Sequence, residues 1–261
     1  GRAWWSSCIL GVGKGVGSGF AASLAVCQPG LVSASVRAMN STVVQVLIHG
    51  ASGRMGRALL RLASQRDDLQ VVAAVSRSGA PVPEAGPVPV LTAATLGQAP
   101  AFDVAIDFSL PEAFDPVLSL CVNRGRALLS GTTGLSPAQH AELALAGERI
   151  PVMWASNYSA GVAVLAELVR QAAAALPGWD ADIVEAHHTL KKDAPSGTAL
   201  TLGAAVVAGR GSPPHYASLR AGDIVGEHTV QFSGSGERLE LVHRATHRDI
   251  FARGALDAAA R

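Results

Sequence analysis

From Val43 onward, short runs of β-branched and aliphatic residues alternate with stretches whose apolar positions recur at helical spacing. The run "VVQVLI" (43–48) predicts a buried strand, "RMGRALLRLASQ" (54–65) a helix, and "LQVVAAV" (69–75) a second strand. Two further strands, "FDVAIDFS" (102–109) and "ALLSGTT" (127–133), run into loops of small residues. Between them "PEAFDPVLSLCVNRG" reads as a helix, with Pro111 in its first turn and Gly125 as its C-cap. A helix over 136–148 and a strand over 150–155 follow. This alternation predicts parallel βαβ units in a Rossmann-type, doubly wound α/β sheet.

After Asn157 the rhythm changes. A helix from about Gly161 to Leu176 leads into the strand "ADIVEAHH" (181–188), and a second helix covers about Thr198 to Ala208. The runs "HYASLR", "GEHTVQFS" and "ERLELVHRA" then have strand character, and "HRDIFARGALDAAAR" reads as a closing helix. Consecutive strands joined by short turns predict a second α+β domain with an open antiparallel or mixed sheet.

Composition narrows the function. The 261 residues suffice for one large or two modest domains, and 49% are hydrophobic. Lys and Arg total 21 against 20 acidic residues, a net charge of +1, which gives no electrostatic case for nucleic acid or a membrane surface. Aromatic residues, at 5%, are too few for base-stacking platforms. Cys8, Cys27 and Cys121 have unrelated spacings, which argues against a disulfide framework and for a cytosolic chain; Cys121, inside "VLSLCV", is expected as a buried thiol. Residues 1–38 hold no acid and no sustained apolar run, too interrupted for a membrane span, and are expected to lie outside the fold.

Candidate chemistry gathers at strand ends. Directly after the first strand, "HGASGRMGRAL" places Gly50, Gly53 and Gly56 where a dinucleotide pyrophosphate can approach the backbone and rest on a helix N-terminus. The second strand ends in Ser76 and Arg77 rather than a ribose-binding carboxylate, so Arg77 is a candidate for a 2′-phosphate or an ordinary solvated arginine. The polar loops "DFS" (107–109), "SGTTG" (130–134) and "ASNYS" (155–159) follow three other strands and would line one crevice.

The stretch "EAHHTLKKDAPSGTA" (185–199) fits neither a helix stripe nor a metal motif. On a strand, His187 and His188 project to opposite faces, and both serve one site only if the chain leaves the strand there. Ser196, Gly197 and Thr198 can open a helix whose free N–H groups bind an anion. A histidine supplies a proton near neutral pH and a lysine a positive charge, so the segment suits a small anionic substrate that must be protonated. No Cys/His/Asp cluster has metal-ligand spacing, so no metal is expected.

Taken together, "HGASGRMG", "DFS.PE", "SGTTG", "ASNYS", "EAHHTLKKDAPSGTA" and "RAGDIVGEH" resemble the 4-hydroxy-tetrahydrodipicolinate (dihydrodipicolinate) reductase family of lysine and diaminopimelate synthesis, from about Val43 to Leu256. The resemblance implies a dinucleotide-binding domain over 39–158, to which a helix over 247–261 returns, and a substrate-binding domain over 159–246 that builds a homotetramer. It implies NADH or NADPH contacts at Gly50, Ala51, Ser52, Gly53, Arg54 and Met55, at Ser76 and Arg77, at Gly131, Thr132 and Thr133, and at Ala155, Ser156, Asn157 and Tyr158. His187 and Lys191 correspond to the proton-transferring pair, and His188, Gly197 and Thr198 to the contacts with the carboxylates of a cyclic dicarboxylate substrate. Ser76 stands where many members carry an acid, which favours NADPH being used at least as well as NADH. Competing readings are another Rossmann-domain NAD(P) dehydrogenase, which would not require the His-His-x-x-Lys segment, and a non-catalytic nucleotide sensor.

Overall fold

The computed structural model describes residues 43–261; the extension over 1–38, Cys8 and Cys27 lie outside the described residues. The described residues form two compact units, one from 43–155 together with Ala255–Arg261, the other from Ser156–Gly254.

The first unit is built on β1 (Val44–His49), β2 (Leu69–Val75), β3 (Val90–Leu91), β4 (Val104–Asp107), β5 (Ala127–Ser130) and β6 (Val152–Trp154). Their order is β3-β2-β1-β4-β5-β6 with every neighbouring pair parallel, the arrangement of a Rossmann sheet. Strands covered on both faces read as continuous apolar runs, and all four residues of β4 and the last four of β1 are buried. The helices α1 (Arg54–Ala63), α2 (Pro111–Arg124) and α3 (Pro137–Gly147) connect them. Ser136 caps α3 in a reciprocal capping box with Gln139. At the end of α2 the Arg126 N–H bonds the Cys121 carbonyl and the Gly125 N–H that of Val122, which satisfies the last-turn acceptors. Cys121 is fully buried, and burial pushes its thiol up to about 12, as the apolar run around it foretold.

The second unit contains α4 (Ala160–Ala175), β7 (Asp180–His187), α5 (Gly197–Arg210), β8 (His215–Arg220), β9 (Gly226–Gly234) and β10 (Glu237–Ala245). The sheet order is β10-β9-β7-β8; β8 is parallel to β7 and the other pairs are antiparallel, so the sheet is mixed. Alternate residues of β7 and β9, among them Ala181, Ile183, Val230 and Phe232, form a core with Leu165 and Val169 of α4 and Leu202 and Val206 of α5. The closing helix, α6, runs from Asp249 to Ala259.

The structure corrects the sequence reading in several details. β3 and the 3-10 turns at 83–85 and 96–98 were not foreseen, because "PVPVL" offers only two residues free to pair. The strands expected over 102–109 and 127–133 stop at Asp107 and Ser130, where side chains take over from the ladder. β7 ends at His187, so His188 has already left the sheet.

Candidate active site

Each loop of the first unit that the sequence offers for a nucleotide follows the carboxyl end of a strand. Gly50 has φ of +81°, a conformation that disfavours any side chain, and a Cβ there would collide with the Phe108 carbonyl. A Cβ on Gly56 would collide with the Gly50 carbonyl oxygen and stand 2.6 Å from Ala51 Cα. The turn therefore closes tightly under the start of α1. Gly53 is the N-cap of α1 and provides no side-chain cap, and the first turn carries no acid. The first N–H groups of a helix lack intrahelical acceptors, so here they remain available to an anion. Ser52, Gly53 and Arg54 are exposed, Met55 is half-buried, and Ala51 is buried as the floor. This cradle fits the pyrophosphate of a dinucleotide.

One carboxylate ties the neighbouring loops together. Register pairing aligns His49 with Asp107 and Asp107 with Ser130 at the ends of β1, β4 and β5. Fully buried Asp107 binds His49 Nδ1 at 2.8 Å and accepts hydroxyl bonds from Ser130 and Thr132, each 2.8 Å, and the Ser109 N–H at 3.2 Å. Burial alone would raise its affinity for a proton, but His49 and these donors outweigh burial and hold the group below the usual carboxylate value. Sequence reasoning missed Asp107 as an anchor, although it lies inside the quoted "DFS". Thr132 is buried and its hydroxyl is committed to Asp107, whereas Gly131 is half-buried and Thr133 exposed. Ser76 is also buried and accepts the Gly79 N–H at 3.2 Å, while Arg77 beside it is exposed. Ala155 closes the first unit; Ser156, Asn157 and Tyr158 open the second. There Tyr158 is buried, and Asn157 bonds the Ser159 N–H and the Thr198 hydroxyl.

In the second unit His187 and His188 part company. His187 is buried on the helix-covered face of β7, and its Nδ1 lies 2.5 Å from Glu185 Oε2. Glu185, two residues earlier on the same face, is fully buried and receives a two-pronged bond from Arg220, at 2.7 and 2.9 Å. Burial would push the Glu185 carboxyl up, but Arg220, Ser218 and His187 together bring it down to about 2. Burial lowers the pKa of His187, Lys191 and Arg220 add to that, and Glu185 opposes them. His188 turns away: its N–H bonds the Ile224 carbonyl at 2.8 Å, and its Nε2 meets the Arg248 guanidinium at 2.8 Å. Its Nδ1 is buried and has no hydrogen-bond partner among the described residues.

Lys191 Nζ lies 2.8 Å from the Asp193 carboxylate, and Lys192 is exposed. Ser196 is the N-cap of α5: its Oγ accepts the Ala199 N–H and lies 3.1 Å from His228 Nε2, while its own N–H reaches Glu185. This leaves Gly197 and Thr198 as the first two helical residues, with N–H groups directed out of the helix start. Glu185, Arg220, His228 and Arg248 all escaped the sequence reading. Only Glu185 had a signal, its same-face spacing of two from His187.

The Rossmann sheet and the unblocked glycine cradle, with the histidine–lysine segment after β7, define a dinucleotide-dependent oxidoreductase that uses a nicotinamide cofactor. Family models extend this conclusion: the N-terminal part of dihydrodipicolinate reductase matches residues 44–158, and its C-terminal part matches residues 161–261. The chain belongs to the dihydrodipicolinate reductase family. It is 67% identical over 222 residues to 4-hydroxy-tetrahydrodipicolinate reductase of Stenotrophomonas maltophilia, covering 85% of this chain and 92% of that one. The corresponding protein of Xylella fastidiosa is 61% identical over 218 residues, covering 84% and 92%. Among solved structures, dipicolinate-bound dihydrodipicolinate reductase from Paenisporosarcina sp. TG-14 superposes with a TM-score of 0.67 at 23% identity, covering 84% of this chain and 94% of that one. At that identity the superposition speaks for the fold.

Proposed function

We propose that this chain reduces 4-hydroxy-tetrahydrodipicolinate to tetrahydrodipicolinate, with loss of water, in lysine and diaminopimelate biosynthesis. The observation that carries the reading is the end of β7, where a buried imidazole on an ionised glutamate stands in one segment with a lysine and a helix start. A nucleotide sensor needs no such acid-base apparatus, and a general Rossmann dehydrogenase does not require this segment.

The nicotinamide dinucleotide, when bound, supplies the hydride. Gly50 to Met55 hold its pyrophosphate, with Gly131 to Thr133 and Ala155 to Tyr158 along the remaining strand ends. Ser76 and Arg77 meet the adenosine ribose, and the absence of a carboxylate there removes repulsion of a 2′-phosphate. Both NADPH and NADH are therefore used, NADPH at least as well. His188, Gly197 and Thr198 hold the substrate carboxylates. The unpartnered Nδ1 of His188 and the open N–H groups of α5 support this assignment, and Arg248 adds positive charge beside His188. His187 and Lys191 transfer the proton that makes the ring a better hydride acceptor. The chain works in the cytoplasm as a homotetramer. Support for assembly comes from the sheet face opposite the helices, where Val242 and Leu219 are exposed at 41% and 56%.

The test is a coupled assay in which the product of pyruvate and aspartate semialdehyde is generated by an aldolase. Oxidation of NAD(P)H that depends on that product is expected. Binding of nucleotide without such turnover would overturn the reading in favour of a sensor.

A further inference from the structure

Glu185 enters the reading above only as the partner of His187 and is given no task of its own, yet it also holds the Arg220 fork and the Ser196 N–H. Resting on the proposed role of His187, we infer that Glu185 is its positioning residue: it keeps a proton on Nδ1 and leaves Nε2 as the atom that gives and takes the catalytic proton.

The geometry argues for this in three steps. An ionised carboxylate only accepts hydrogen bonds, so the nitrogen that faces Glu185 Oε2 must carry a hydrogen. The Arg220 fork binds both oxygens of Glu185 and the Ser196 N–H reaches Oε1, so the carboxylate is kept charged and does not take the proton for itself. Among the described residues His187 Nε2 makes no hydrogen bond, and it remains open for exchange. When His187 acts as an acid, the Nε2–H bond breaks and the proton passes to the substrate. The ring is left neutral with its remaining proton on Nδ1, and a solvent proton later restores Nε2–H. Glu185 stays an anion throughout. The same carboxylate touches the N-cap of α5 through Ser196, so it also fixes the imidazole relative to the helix start proposed to hold substrate.

In Glu185→Gln the single remaining oxygen is claimed by the Arg220 fork, which turns the amide NH2 toward His187. That NH2 can only donate, so Nδ1 must become an acceptor and the proton must move to Nε2. Long-range 1H–15N correlation spectra of the full chain with 15N-histidine separate the two neutral forms, and His187→Asn identifies the His187 signals. The expected result is Nδ1–H in the wild type, Nε2–H in Glu185→Gln, and at least about 100-fold lower kcat in that variant, with NADPH affinity unchanged by fluorescence titration. An Nε2–H wild type overturns the inference, whether or not the variant folds. A folded Glu185→Gln that keeps the wild-type form and turnover also overturns it. Failure of the functional reading is separate: it appears as a wild type without turnover in the coupled assay, whatever the spectrum shows.

Discussion

His228 should make the stability of this protein fall in mild acid, by an amount the structure allows to be worked out. The side chain is 3% exposed and its Nε2 faces the Ser196 hydroxyl at 3.1 Å. Because Ser196 Oγ already accepts the Ala199 N–H, its hydrogen is free to be donated to His228 Nε2, which a neutral imidazole accepts. Burial lowers the His228 pKa to about 4, helped by the nearby charge of His187, His243 and Lys191 and opposed by Glu185. An unfolded histidine titrates near 6.5. Between those values the unfolded chain binds more protons than the folded one, so stability is present above about pH 6.5 and is lost as pH falls toward 4. At about 1.4 kcal/mol per pH unit, the loss attributable to His228 between pH 7 and pH 5 is about 2 kcal/mol.

The informative variant is His228→Gln, which keeps an acceptor for Ser196 and removes the titration. Urea unfolding of both proteins at pH 7 and pH 5, at one protein concentration, gives four free energies. His187 and His243, whose values burial also lowers, contribute to both proteins and largely cancel in the double difference. The wild type should lose about 2 kcal/mol more than the variant over this interval. Equal losses would refute the picture of a neutral, buried His228 under the N-cap of α5.

Other expectations follow from the two sites. Gly56→Ala forces the glycine turn apart at backbone atoms and should weaken NADPH binding at least about tenfold, or about 1.4 kcal/mol, in a fluorescence titration. Lys191→Ala should lower kcat about 10²–10⁴-fold with little change in nucleotide affinity, and Lys192→Ala should be nearly silent; the reverse ranking in the coupled assay would show the wrong lysine was chosen. Arg77→Ala should weaken NADPH about tenfold while sparing NADH, as expected for one charge-assisted contact, and Ser76→Glu should shift preference toward NADH. Equal losses of both cofactors in Arg77→Ala would show that this arginine does not read the 2′-phosphate.

Much of the first unit was legible in sequence because its signals are local. The Rossmann order follows from alternating strands and helices, and the strand β2 was bounded correctly by its apolar run alone. Its helix ends carry their own stop and start signs, such as Ser136 with Gln139 and Gly125. The second unit was less legible because its order depends on pairing at a distance. Nothing in "HYASLR" announces that β8 lies parallel to β7 while β9 runs antiparallel on the other side. The segment from His187 to Thr198 stood out because unusual chemistry needs unusual residues close together. Arg220 did not, because its partner lies 35 positions away.

The same contrast explains what holds each candidate site in place. Both units carry a fully buried carboxylate at or near the end of a strand, Asp107 in β4 and Glu185 in β7. Burying a charge is costly unless its oxygens are hydrogen-bonded, and each acid meets the requirement differently. Asp107 uses hydroxyls, a backbone N–H and a histidine, drawn from the two strands that flank β4 and from the loops that leave β4 and β5. Glu185 uses an arginine fork, an imidazole and the N–H of a helix cap. In both, the groups that satisfy the charge adjoin residues proposed above as ligand contacts: Gly50 follows His49, Gly131 follows Ser130, and Gly197 follows Ser196. Satisfying the buried acid and presenting the loop are therefore one structural event. A change at either carboxylate should disturb ligand geometry in its own unit before it disturbs the sheet, since the strand ladders do not depend on these side chains.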